Sequence, residues 1–210
     1  MKILEIKDLA LEGVQVVRFG RFLDDRGYFT EHYRKSDLAP RLDHLPEFVQ
    51  CNESFSRAGT IRGLHFQWSP YMGKLVRTLS GRMVDFILDI RKGSPTFGKI
   101  IAYDLPANRD ADYDEWIWMP PGFAHGNVFP EDTLIEYFCT GEYSPSTEAG
   151  ISPFAPDLDW SMCAPELKRV FDEVSRRTSL VTEKDRNGYT LAAWTASPLS
   201  DNFIYPSGAA

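Results

Sequence analysis

Cysteine is scarce in this chain. Cys51, Cys139 and Cys163 are the only three, they are odd in number, and no two stand in a C-x-x-C spacing. That argues against a disulfide framework and against a zinc knuckle, and it fits a reducing, cytoplasmic setting. Long apolar runs are also missing. The start, Met1-Lys2-Ile3-Leu4-Glu5-Ile6-Lys7-Asp8, threads charges through its apolar positions, and nothing approaches the roughly 20 residues needed to span a bilayer. No membrane anchor or export signal is expected. Nor is there an excess of positive charge: 23 Lys and Arg stand against 30 Asp and Glu, a formal net charge of −7. A nucleic-acid partner is therefore not expected, because binding phosphates non-specifically takes a basic surface. No G-x-x-x-x-G-K-[ST] or G-x-G-x-x-G occurs, so neither a P-loop nor a Rossmann nicotinamide site has support.

What the chain does have is aromatics, 13% of its residues, and short apolar stretches separated by turn signals about every ten residues over 14–143. Val84-Asp85-Phe86-Ile87-Leu88-Asp89-Ile90, Ile100-Ile101-Ala102-Tyr103 and Trp116-Ile117-Trp118-Met119 are examples, and Lys92-Gly93-Ser94-Pro95 and Pro120-Pro121-Gly122 supply turn dihedrals. This is the pattern of a mainly β sandwich or barrel. Two helices are expected. Ser36-Asp37-Leu38-Ala39 suits a short one before Pro40, and Leu167, Val170, Phe171 and Val174 fall at helical spacing after Pro165. At 210 residues, one domain is expected over 1–210, with a C-terminal helical extension from about 161 and a frayed end from Pro206.

The chemistry concentrates around Ile61-Arg62-Gly63-Leu64-His65-Phe66-Gln67, with Lys74-Leu75-Val76 following after a Ser-Pro turn. The alternation aims His65 inward and places Lys74 on what reads as the neighbouring strand, pairing a base with a cation. His125, behind the turn at Pro120, and Tyr137 fall on or beside further inward positions. Arg26, Arg62 and Lys184 stand in polar contexts suited to a diphosphate. Taken singly, His65 reads equally as a hydrogen-bonded core histidine, Tyr137 as a packing residue and the basic residues as surface charge. A metal site is poorly served, since Phe66 and Gln67 follow His65 without a second ligand, and none is expected.

Several ordered motifs carry a family resemblance. They include Asp25-Arg26-Gly27-Tyr28-Phe29-Thr30-Glu31, Phe48-Val49-Gln50-Cys51-Asn52, Arg62-Gly63-Leu64-His65-Phe66-Gln67 and Gly73-Lys74-Leu75-Val76-Arg77. Asp89-Ile90-Arg91-Lys92-Gly93-Ser94-Pro95-Thr96-Phe97-Gly98 and Pro121-Gly122-Phe123-Ala124-His125-Gly126 continue the series, and Tyr137 to Tyr143 with Glu148 beyond completes it. Over about 14–160 the chain resembles the dTDP-4-dehydrorhamnose 3,5-epimerases. The resemblance implies a cupin-like β jelly roll and a homodimer, working without metal or nucleotide cofactor on a nucleotide-linked 4-keto-6-deoxyhexose in deoxysugar or surface polysaccharide synthesis.

Carried over residue by residue, the resemblance makes His65 the base that removes a proton from carbon and Tyr137 the acid that returns one. Lys74 would steady the enolate, an oxyanion-type effect of about 3 kcal/mol. Asp185, in the Lys184-Asp185 pair, would orient the imidazole. Arg26, Glu31, Gln50, Asn52, Arg62, His125, Glu148 and Lys184 are assigned to the sugar nucleotide, with Tyr143 stacking on its base.

The chain departs from the family's pattern at Phe138, where a lysine is common, at Ser152-Pro153-Phe154-Ala155-Pro156, and in a longer stretch over 160–184. The last could close over the site or build the dimer. The other readings are a single-centre epimerase or a 3,4-ketoisomerase acting on a different nucleotide sugar, and a non-catalytic sugar-nucleotide-binding cupin.

Overall fold

A computed structural model describes residues 1–42, 47–177 and 180–206. Two antiparallel sheets face each other. The first has six strands in the order β1 (Ile3–Asp8), β2 (Gln15–Gly20), β10 (Tyr113–Met119), β7 (Lys74–Ser80), β12 (Thr133–Cys139) and β5 (Gln50–Ser56). The second has five, in the order β13 (Glu148–Gly150), β6 (Thr60–Gln67), β11 (Phe123–Phe129), β8 (Arg82–Asp89) and β9 (Ile100–Pro106). This is the mainly β, jelly-roll architecture that the resemblance implies. A separate hairpin, β3 (Phe22–Asp24) with β4 (Gly27–Phe29), stands apart from both.

The near-continuous apolar runs have a physical reason, because the central strands of both sheets are buried on both faces. Met83 and Ile87 of β8 meet Val76, Ile117 and Ile135 between the sheets, while Val84, Phe86 and Leu88 point the other way. On the outer face of the six-stranded sheet, Leu38 and Leu42 cover Phe19, Trp116 and Trp118. α1 (Lys35–Leu38) supplies Leu38, close to where the sequence places a short helix. The outer face of the five-stranded sheet is covered by the C-terminal extension. α2 (Pro165–Arg177) buries Phe171 and Val174, and Trp194 of α4 (Leu191–Ala196) packs edge-on against Phe66, with ring centroids 4.6 Å apart.

The extension therefore lies mostly behind the five-stranded sheet. The exception is α3 (Glu183–Arg186), a single turn capped by Thr182, whose hydroxyl accepts from the backbone N–H of Asp185. Ser152 donates its hydroxyl to the carbonyl of Arg186, and Ile151 bridges to Tyr189, so the departing Ser152 stretch serves to anchor α3. Phe138, the other departure, stacks on Trp116 at 5.5 Å on the outer face and points away from the space between the sheets.

One expectation is corrected here. His65 and Lys74 do not lie on neighbouring strands: β6 pairs with β11 and β13, whereas β7 pairs with β10 and β12. The turn through Ser69-Pro70 carries the chain from one sheet to the other, so the two residues come from facing sheets. β1, which lies before the stretch over 14–143 that the sequence marks as strands, forms an edge strand beside β2. The expected fraying at the C-terminus falls mainly on residues 207–210, outside the described ones.

Candidate active site

Between the sheets lies a cleft with two adjoining lobes, of about 400 Å³ and about 260 Å³. Ser54, His65, Lys74, His125 and Tyr137 line both, which places them at the junction. Gln50, Asn52, Tyr143 and Glu148 belong to the larger lobe, and Arg62, Lys184 and Asp185 to the smaller. Strand alternation explains the inward set: Ile135, Tyr137 and Cys139 share one face of β12, and Lys74 shares a face of β7 with Val76, while Leu75 turns outward.

His65 Nε2 lies 2.6 Å from Asp185 Oδ1. Burial pushes the Asp185 carboxyl up. Hydrogen bonds from His65, Thr182 and the Gly63 backbone outweigh that and hold it below the ordinary aspartate value. An ionised Asp185 leaves the ring to supply the proton, so Nε2 donates and Nδ1 carries the lone pair of a base. The ring has little freedom. A Cβ at position 150 would sit 3.0 Å from His65 Cδ2, so the glycine there makes room for the imidazole.

From the facing sheet come Lys74 and Tyr137. Among the described residues the Lys74 side chain has no hydrogen bond or ion pair, and its ammonium stands 6.0 Å from the centre of the Tyr137 ring. Burial lowers the lysine pKa, against the opposing influence of Cys139, Glu148 and Asp85. Burial raises that of Tyr137, so the phenol keeps its proton well past neutrality. A flat substrate in the cleft would thus meet a base on one side, and an acid and a cation on the other.

The remaining candidates divide. Gln50 donates to Asn52 and accepts from the Tyr143 N–H. Glu148 ties Tyr143 to Lys184 at the rim, and Arg62 is braced by Ser56. His125 pairs in register with His65 across β11 and β6. Arg26 and Glu31 lie away from the cleft: Arg26 is 90% exposed and bound to its neighbour Asp24, and Glu31 is held by Arg34, its pKa falling to about 2. Sequence reasoning missed Ser54, Asn127 and Asp85. Inward parity alone marks Asp85, as an acidic residue between Met83 and Ile87. Among the described residues, no group of three or more His, Cys, Asp or Glu side chains is arranged to hold a metal ion, and no helix is long and apolar enough to cross a membrane.

Comparison with known proteins bears on this cleft. The family description "dTDP-4-dehydrorhamnose 3,5-epimerase" matches residues 8–193. A dTDP-4-dehydrorhamnose 3,5-epimerase of Sinorhizobium fredii is 39% identical over 148 residues, covering 69% of this chain and 73% of that protein. Among solved structures, a dTDP-6-deoxy-D-glucose-3,5-epimerase of Legionella pneumophila in complex with dTDP-4-keto-L-rhamnose superposes with a TM-score of 0.79 at 28% identity, over 97% of this chain and 99% of that one. A 3'-monoepimerase of Streptomyces bikiniensis in complex with dTDP-quinovose gives 0.76 at 26% identity, over 90% and 89%.

Proposed function

Because this chain belongs to the dTDP-4-dehydrorhamnose 3,5-epimerase family, we propose that its cleft inverts C3 and C5 of a dTDP-linked 4-keto-6-deoxyhexose through an enolate. The observation that carries the reading is the placement of base and acid on facing sheets: His65 with Asp185 on one side, Tyr137 with Lys74 on the other. Inversion requires that a proton leave one face of the sugar and return to the other.

The C4 ketone makes the hydrogens on its neighbouring carbons acidic. His65 Nδ1 takes one of them, the C–H electron pair moves into the ring, and the carbonyl oxygen becomes an enolate. Lys74 stabilises that oxygen; an ammonium in a site closed to water is worth far more than one in solvent. Tyr137 gives its phenolic proton to the carbanionic carbon from the opposite face, and exchange with solvent restores both groups. Arg62 and Lys184 suit the diphosphate, and Tyr143 at the outer rim suits the base.

Arg26 and Glu31 acquire a role in this reading if two copies associate. The β3–β4 hairpin beside them exposes Phe22 and Phe29 on one face and Leu23 and Tyr28 on the other, apolar surface of the kind that marks an interface. A homodimer through this hairpin would cover it and deliver Arg26 towards the other copy's cleft. Three unpaired thiols, Cys51, Cys139 and Cys163, support a cytoplasmic place of action.

The test is conversion of dTDP-4-keto-6-deoxyglucose by the wild-type protein and by His65→Ala, with dTDP binding followed by calorimetry. Turnover confined to the wild type, with similar binding by both, is expected. Wild-type turnover by His65→Ala would sink the assignment.

A further inference from the structure

Asp85 sits on the inner face of β8 with no solvent exposure, among the apolar side chains of the space between the sheets. A buried carboxylate is costly unless something nearby needs it. Its Oδ1 lies 2.5 Å from His125 Nε2 and accepts from Asn127 Nδ2 at 3.1 Å, while Oδ2 is buried with no partner among the described residues. A ring nitrogen and a carboxylate oxygen at that separation need a proton between them. Asn127 also stands 3.2 Å from the same nitrogen, so both residues converge on one edge of the imidazole. The other nitrogen, Nδ1, has no partner among the described residues and is not sealed from solvent, while the ring lines both lobes of the cleft.

We propose that Asp85 is a positioning residue for His125, holding the Nε2 edge against the sheet so that Nδ1 is presented to the sugar beside His65. The active cleft then contains two imidazole–carboxylate pairs on adjacent strands, one serving the base and one serving a substrate contact. An isosteric apolar residue would fill the volume equally well and would not orient the ring.

The proposal takes the sugar as occupant from the function proposed above, but the ring geometry can be tested without it. In wild-type protein carrying 15N-labelled histidine, with His125→Asn used for assignment, long-range spectra are expected to show the His125 proton on Nε2. A ring protonated on Nδ1 alone overturns the proposal, whatever the enzyme turns over. Asp85→Asn is expected to lower kcat at least about tenfold, because an amide can impose the wrong tautomer, with KM little changed. The double variant Asp85→Asn/His125→Asn should be no slower than His125→Asn alone. A folded Asp85→Asn enzyme with wild-type kcat, or losses that add in the double variant, would overturn it; should Asp85→Asn not fold, the wild-type spectrum decides.

Discussion

His65 and Asp185 stand 120 residues apart in the chain, yet the imidazole Nε2 and the carboxylate Oδ1 meet at 2.6 Å. The contact joins β6 to the single turn of α3 and, in the proposed mechanism, orients the histidine as a base.

Replacing that carboxylate should therefore act on chemistry. Asp185→Asn is expected to lower kcat by roughly 100- to 10,000-fold, the range set by losing the orienting and charge-stabilising partner of a general base, with dTDP affinity unchanged. Steady-state kinetics beside calorimetry separates the two. The folded carboxyl has a depressed pKa, so its stabilising pairing is fully present above the ordinary 3.8 and is lost as pH falls through the folded value. A rate loss at higher pH must come from another group.

In the proposed mechanism Lys74 trades stability for function. Its folded pKa is lowered by burial, so holding the charged side chain opposes folding below that value, and the penalty disappears as pH rises past the unfolded lysine's pKa. Lys74→Met is accordingly expected to raise the melting temperature at neutral pH while lowering kcat about 100-fold or more. Thermal unfolding and kinetics on one preparation check both signs. In the wild type, the alkaline loss of rate should begin below the ordinary lysine value of 10.5.

In the proposed mechanism Tyr137 acts after proton removal. Tyr137→Phe should keep measurable solvent exchange at the substrate carbon yet lose inverted product, because the base survives and the returning acid does not. Chiral analysis of the product together with deuterium content measures this. Undiminished epimer formation would contradict the role.

The aromatic hairpin supplies a separate test. Phe29→Ser should shift the protein from dimer to monomer in light scattering, since it removes a ring that is 65% exposed in the single chain. Arg26→Ala should leave the dimer intact and raise KM for the sugar nucleotide. A monomeric wild type would remove the argument for both.

Much of this molecule was legible from the alternation of its residues. The inward parity of His65, Lys74 and Tyr137 was visible, as was α2 from the spacing of Leu167, Phe171 and Val174. The sheet to which each strand belongs was not. Alternation reports a side chain's face but says nothing of partners, so His65 and Lys74 read as neighbours when they oppose each other across the cleft. α3 and α4 are too short for a helical period to emerge, and β1, exposed along much of its length, lacks a clear apolar face. Asp185 became identifiable only through family resemblance across a long insertion, since its partner is distant in sequence. Asp85 shows the converse limit: its parity was readable, but only the fold brings it to His125.

The most direct measurement is proton exchange. dTDP-4-keto-6-deoxyglucose incubated with the protein in D2O and followed by NMR should lose its proton signals at C3 and C5 with the wild type and retain both with His65→Ala. Retention of both by the wild type would contradict enolisation in this cleft.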